Sequence, residues 1–277
     1  MEYELIEYDF KDQYLWKFLD LHKFLYLINE RKIYFTRLDM FEDPNEGLPE
    51  RLIFELYLNE IFYDTDSLDS SLFSTNEVKK DAKRDAYHNI IQLLFEADLI
   101  QKNQFASCWF LDNRESYAMW NLYSNSESVV VKIRPDILIN QIKKEVTNLV
   151  DHSIDNFVSG IVHYNAVYPP EFEYEKYEEP KNKYSGLKKD LSYSYENEYR
   201  FLAISNLTNN FINKFELSIP DLYDLDFKVI THPKMQDWMF SNIKTILSKI
   251  GLEGRLQKSN IRLKPNINPD IRKIEKI

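Results

Sequence analysis

From Tyr14 onward the apolar positions change period twice within a short stretch. Tyr14-Leu15-Trp16-Lys17-Phe18 is short and aromatic-rich, whereas residues 21–31 place Phe24, Leu25, Leu27 and Ile28 at the spacing of one helix face. Ile33-Tyr34-Phe35-Thr36 then returns to strand composition. The order predicted is strand, helix, strand. It ends in Phe41-Glu42-Asp43-Pro44-Asn45-Glu46-Gly47, whose Asp-Pro step and terminal glycine mark a rigid turn.

Residues 49–62 are amphipathic and predict a helix. Residues 64–75, rich in Ser and Asp, predict a surface loop, and a second helix follows over 76–100 with Ile90, Ile91, Leu94 and Phe95 on its buried side. Strand composition resumes at 105–110, a short helix is expected over 114–123, and Val129-Val130-Val131-Lys132-Ile133 is the clearest strand of the chain. Beyond it the pattern predicts a helix over 136–144, a strand over 159–165, a charged loop or exposed helix over 171–183, and strands over 197–204 and 211–219. A last strand starting at Val229-Ile230 precedes a helix over 234–250 with Met239, Ile243, Ile246 and Leu247 inward. Strands and helices mixed in this way predict an α+β fold: a mixed, partly split sheet flanked by helices. The organisation expected is one domain over residues 1–277, with a helical insertion over about 49–103 and a basic tail over about 251–277.

Composition narrows the chemistry. With 44% hydrophobic and 15% aromatic residues in 277, the chain has material for a substantial core and is not a disordered sequence. Only 5 glycines, with neither GxGxxG nor GxxxxGK[ST], argue against a phosphate-cradling loop of the Walker or Rossmann kind. A net charge of −10 excludes duplex DNA binding by bulk electrostatics. The last 27 residues nevertheless hold seven basic and three acidic side chains, a local +4 that offers an acidic or nucleic-acid partner a surface, or forms a solvated tail. The lone Cys108 leaves no internal disulfide and fits a reducing compartment. The acidic start Met1-Glu2-Tyr3-Glu4 lacks a secretion pattern and no apolar run reaches membrane-spanning length, so a cytoplasmic protein without a membrane partner is expected.

The candidate chemistry centres on Tyr195-Glu196-Asn197-Glu198-Tyr199-Arg200, which runs into the apolar Phe201-Leu202-Ala203-Ile204. Alternation in a strand would put Glu196, Glu198 and Arg200 on one face, where neighbouring carboxylates raise each other's proton affinity. On a solvated face they would be ordinary charges with Arg200 as counterion. The histidines are scattered without metal-ligand spacing, which disfavours a dedicated zinc or di-iron site.

In order along the chain, Trp16-Lys17-Phe18, Ile33-Tyr34-Phe35-Thr36, Phe41-Glu42-Asp43-Pro44-Asn45-Glu46, Cys108-Trp109-Phe110, Met119-Trp120-Asn121-Leu122-Tyr123 and Tyr195-Glu196-Asn197-Glu198-Tyr199-Arg200 resemble a widespread bacterial family of unknown function. The family's pattern reads K-Y, I-x-F-S/T, F-N-D-P-F-E, C-F-S, M-W-x-x-Y and E-x-E-x-R. This chain departs from it at Glu42, where the family has Asn, and at Asn45, where it has an aromatic residue. More loosely, the arrangement is similar to the ADP-ribosyltransferase fold. That resemblance implies NAD as substrate, with Glu198, helped by Glu196, orienting the nicotinamide ribose and stabilising positive charge as the glycosidic bond breaks.

It further implies Lys17 facing the cofactor, Thr36 steadying the site by its hydroxyl, Arg200 beside the glutamates, and Trp120 and Tyr123, one helical turn apart, stacking on nicotinamide or adenine. The plain alternative makes Trp120 and Tyr123 core residues. The functions implied are an ADP-ribosyltransferase-like or NAD-consuming effector in bacterial conflict, phage defence or stress, acting on a protein or nucleic-acid target. Two alternatives remain: a non-catalytic sensor or partner-binding module, and a metal-dependent nuclease toxin using Asp43, Glu46, Glu196 and Glu198 around a divalent ion.

Overall fold

The structure, a computed structural model, describes residues 2–64, 76–149, 153–165, 184–205 and 212–262. The expected charged stretch over 171–183, most of the Ser- and Asp-rich loop, and Lys264, Arg272, Lys273 and Lys276 of the basic tail lie outside those residues.

Strand β1 (Glu2–Leu5) is followed by the expected strand, helix, strand: β2 (Tyr14–Leu19), α1 (Leu21–Glu30) and β3 (Lys32–Arg37). Helix α1 starts because the Asp20 carboxylate accepts from the Lys23 backbone N–H, and stops because Arg31 turns left-handed at φ 52°. Helices α2 (Glu50–Tyr63) and α3 (Asn76–Lys102) precede β4 (Gln104–Asp112). Helix α4 (Tyr117–Tyr123), shorter than expected, begins where the Ser116 hydroxyl accepts from Met119 N–H. Then come β5 (Val129–Ile133), α5 (Pro135–Thr147), β6 (Ile154–Ile161), β7 (His163–Asn165), β8 (Lys188–Asp190), β9 (Glu198–Ser205) and β10 (Phe215–Ser218). The chain continues through β11 (Phe227–Thr231), α6 (Asp237–Ser248) and β12 (Leu256–Lys258). The fold is mixed α+β, as the periodicity predicts. Among the described residues no helix is long and apolar enough to cross a membrane.

The chain divides into two compact units. The first takes residues 1–9, 32–110 and 139–219. Its sheet runs β1-β6-β9-β4-β3-β10, parallel only between β1 and β6. Strand β9 is paired on both edges, and seven of its eight residues are buried, so each face must find apolar cover. Alternation divides it cleanly. Tyr199, Phe201 and Ala203 turn to the side where Phe35, Phe157 and Phe215 meet edge-on or tilted at 5.0–6.4 Å between ring centres. Leu202 turns to the other, against Leu38, Ala106, Val158 and Leu187. Each buried aliphatic side chain stabilises this core by about 1.5–3 kcal/mol. Glu198 and Arg200 share the Leu202 face. Strands β7 and β8 form a separate parallel pair.

Two expectations are corrected in this unit. Strand β6 starts at Ile154, five residues before the predicted 159, because Phe157 and Val158 are drawn in against β9. Helix α3 turns Leu93, Ala97 and Ile100 toward Leu48, Leu52 and Ile53, leaving Ile91, Leu94 and Phe95 exposed and Ile90 half-buried. Its apolar residues span more of the circumference than one neighbouring helix can cover.

The second unit takes residues 10–31, 111–138 and 220–277. Strand β5 pairs antiparallel with β2 and β11, and β11 pairs parallel with β12. Helix α6 buries Ile243 and Leu247 as predicted, and leaves Met239 and Ile246 half-buried. The Glu115 carboxylate accepts from the Ser259 hydroxyl, the Asn260 backbone N–H and the Trp120 indole, tying the segment after β12 to this unit.

Candidate functional site

The site is assembled in the first unit from two segments remote in sequence. The first is the Asp-Pro turn. The Asp43 carboxylate accepts from Asn45 N–H at 2.9 Å, the Asp43 carbonyl accepts from Glu46 N–H at 3.1 Å, and Gly47 closes the turn at φ +73°. A Cβ at residue 47 would lie 2.2 Å from Leu38 Cδ1, so the position requires glycine on both counts. Gln101 holds the turn from α3 by donating to the carbonyls of Pro44 and Glu46, each at 2.9 Å. The consequence is that Glu46, a loop carboxylate, points inward and is buried.

The second segment leads into β9. Asp190 opens a 3-10 turn over Leu191–Glu196 by accepting from Ser192 N–H, and Asn197 ends it in the left-handed region at φ 40°. Strand β9 therefore begins at Glu198, and Glu196 is not part of it. The expectation that alternation aligns Glu196 with Glu198 is corrected, because a left-handed residue separates them. Both still reach the same place: Lys189 Nζ lies 2.6 Å from Glu196 Oε2, 3.4 Å from Glu46 Oε2 and 3.6 Å from Glu198 Oε1.

Alternation does hold between Glu198 and Arg200. Arg200 Nε donates to Glu198 Oε2 at 2.5 Å, and its Nη1 donates to Glu46 Oε1 at 2.5 Å and to the Gly186 carbonyl at 2.9 Å. Arg200 is 0% exposed and Glu198 8%. Gly186 sits so close to the sheet that a Cβ would lie 2.7 Å from Leu202 Cδ1. Tyr164 closes the edge, its hydroxyl accepting from Glu198 N–H at 2.9 Å, and the Tyr193 ring lies 4.4 Å from Lys189 Nζ.

Burial and neighbouring charge drive the proton affinities apart. Burial, reinforced by a hydrogen bond to Glu198 and by its charge, raises the Glu196 carboxyl to about 7. Burial alone would also raise Glu198, but the Arg200 charge, the hydrogen bond from Glu196 and the Lys189 charge together hold it well below the usual carboxylate range. Burial would lower Lys189, and the charges of Glu198 and Glu46 overcome this and raise it. Asp43 is raised by burial, with the Glu46 charge adding to the effect. Near neutrality the cluster thus holds two firm cations, an ionised Glu198, and a Glu196 poised to gain or lose a proton.

A divalent ion does not fit this arrangement. Glu46, Glu196 and Glu198 converge on Lys189 and Arg200, which already supply the positive charge, and among the described residues no group of three or more His, Cys, Asp or Glu is placed to hold a metal.

The remaining predicted residues fall elsewhere. Thr36 is half-buried in β3 opposite Ala106. Lys17, Trp120 and Tyr123 belong to the second unit. Lys17 is half-buried opposite Val131. Trp120 is fully buried, with Phe18 and His232 edge-on at 5.1 Å each, so a ligand could stack on it only by displacing core side chains. Tyr123 is exposed.

Lys189, Gly186 and Tyr164 are the neighbours of the acid pair that sequence reasoning missed, and Glu46 entered only as a metal ligand. One signal pointed to Lys189 alone: a Glu-x-Glu-x-Arg heading an apolar strand carries more negative than positive charge into the interior and demands a second cation. Nothing in the spacing of Lys188-Lys189-Asp190 said which lysine supplies it.

The sequence profile of a family described as a protein of unknown function (DUF2971) matches residues 119–201, a span that ends just after Glu196, Glu198 and Arg200. No curated protein and no solved structure matches the chain.

Proposed function

We propose that the head of β9 is the acid pair of an ADP-ribosyltransferase-like enzyme, an NAD-consuming effector whose action is to break the bond between nicotinamide and ribose. The observation that carries this reading is the convergence of Glu196 and Glu198 on Lys189 with opposite proton affinities. Glu198, fixed by Arg200, is the carboxylate that faces the ribose and stabilises the positive charge growing at its anomeric carbon as nicotinamide leaves with the bonding electron pair. Glu196 takes the proton that the acceptor nucleophile loses when it bonds to that carbon. The bacterial setting in conflict, phage defence or stress follows from the resemblance alone.

A second reading is favoured by one specific observation. Glu198 has both oxygens near the chain's own cations, which suits a structural pin in a non-catalytic sensor or partner-binding module. One experiment separates the two. Purified protein is incubated with NAD labelled in the adenosine half, alongside candidate proteins and nucleic acids. The enzymatic reading expects nicotinamide release or label transfer that Glu198→Gln abolishes while the circular dichroism spectrum is kept. Neither release nor transfer by the wild type would leave the binding module.

A further inference from the structure

Helix α3 presents a second, unrelated feature. Tyr87, Ile91, Leu94 and Phe95 fall at i, i+4, i+7 and i+8 on one side of the helix, and each keeps between 48 and 65% of its surface exposed, with the Tyr87 ring tilted against Tyr63 of α2 at 5.9 Å. This is a contiguous apolar stripe rather than scattered single residues, and stripes of that kind mark interaction surfaces. The inward side of the helix is already occupied by Ala86, Leu93, Ala97 and Ile100, so no rotation within the chain can bury both sides.

The charges flanking the stripe identify the occupant. Arg84 stands seven residues before Ile91 and Asp98 seven residues after it, while Tyr87 and Phe95 stand four before and four after. A two-fold axis perpendicular to the helix at Ile91 brings each position onto its mirror number in a second copy. Under that operation Ile91 meets Ile91, Tyr87 meets Phe95, Leu94 meets His88, and Arg84 meets Asp98 twice over. The positions 84, 87, 91, 95 and 98, which the axis maps onto one another, follow one helix side in steps of three and four.

The present partners of both ions lie within α3 itself. Arg84 pairs with Asp81 at 3.2 Å and Asp85 at 3.7 Å, all well exposed, and Asp98 pairs with the half-buried Lys102 at 2.6 Å; exposed pairs within one helix contribute little on their own. Helix α3 has 27 residues and so is about 40 Å long, enough for the overlap.

We infer that the chain forms a homodimer through antiparallel pairing of α3, with Ile91 on the two-fold axis. The interface is isologous: one patch serves both copies, its apolar centre flanked by two symmetric Arg84–Asp98 pairs. It is independent of the chemistry at β9.

Analytical ultracentrifugation from about 1 to about 100 μM tests it, since a dimer of this size dissociates on dilution. Wild type is expected to shift from monomer to dimer, and Leu94→Glu combined with Phe95→Glu to remain monomeric with an unchanged helix signal. Arg84→Asp should weaken the dimer roughly fivefold, and adding Asp98→Arg should restore it. With Cys108 replaced by Ser, Ile91→Cys should give a disulfide-linked dimer under mild oxidation, because two cysteines on the axis are the pair close enough to bond. A wild type that stays monomeric throughout the range overturns the inference and leaves the stripe to a different protein. A dimer that survives the double glutamate variant overturns it too.

Discussion

At the head of β9 the first unit buries five ionisable side chains, Glu46, Lys189, Glu196, Glu198 and Arg200, while in the same unit α3 holds four large apolar side chains in water. Each region inverts the usual partition of charge outside and oil inside. The difference lies in where the compensation is found. The buried charges pair with one another within a single chain, through a loop turn, a short parallel strand and a sheet strand that fold together, although Glu46 Oε2 and Arg200 Nη2 make no hydrogen bond among the described residues. Among the described residues the exposed stripe meets the chain only where the Tyr87 ring tilts against Tyr63 at 5.9 Å, and by the inference above a second copy covers it. Inversions of this kind mark function more reliably than ordinary surface or core, because a sequence keeps them only where something is gained.

The comparison breaks most sharply at Arg200. Replacing it by Leu removes the closer of the two cations that face the buried Glu46 and Glu198, leaving Lys189 alone at 3.4 and 3.6 Å, and should lower unfolding stability by about 3–5 kcal/mol in urea titration. A loss below about 1 kcal/mol would mean that the network opens to water and is not a closed internal pairing. Gly186→Ala tests the same packing from the backbone side. The added methyl meets Leu202 at 2.7 Å and should destabilise by about 1–3 kcal/mol, provided the carbonyl that receives Arg200 stays where it is.

The acid pair gives a pH signature. Folding raises the proton affinity of Glu196, so its contribution is complete below the unfolded carboxyl value of 4.5 and is lost as pH rises toward 7. Glu198 works in the other sense: its contribution is present above 4.5 and disappears at lower pH. Between pH 5 and 7 the Glu196 effect should appear as a fall of up to about 1.4 kcal/mol per pH unit, one proton's worth. Glu196→Gln should flatten that slope in thermal melts taken across the range. If the slope survives, the proton resides elsewhere, and Asp43, whose carboxyl is also raised, is the next group to replace.

The smallest effect belongs to α3. Leu94→Glu with Phe95→Glu, measured where the chain is monomeric, should change stability by only about 0.5 kcal/mol, since neither side chain is inside the fold. A loss of several kcal/mol would show the stripe to be part of the core and would erase the contrast between the two regions.

Much of this was legible beforehand. Period-two and period-3.6 patterns placed β2, α1, β3, β4, β5 and α6, because backbone hydrogen bonding forces those periods on any buried face. The Asp43 turn was readable from Asp-Pro and Gly47, since those residues fix backbone angles locally. Arg200 as the counterion of Glu198 followed from alternation alone. The burial of Trp120 was legible only as one of two alternatives, because an aromatic at helical spacing looks the same in a core and in a binding site.

What the sequence determined by itself is thus most of the longer elements, the mixed α+β class and the presence of a Glu-x-Glu-x-Arg charge pattern at the start of an apolar strand, while β1, β8 and β12 were not foreseen. Tertiary structure alone decided that Glu46, from a turn more than a hundred residues earlier, and Lys189, from β8, close that pattern into a network, and that Glu196 arrives through a left-handed turn and not along the strand. It also decided which side of α3 faces inward. The physical reason is the same in each case: periodicity and turn chemistry are fixed by neighbours a few residues away, whereas ion pairing and burial depend on which distant segments meet.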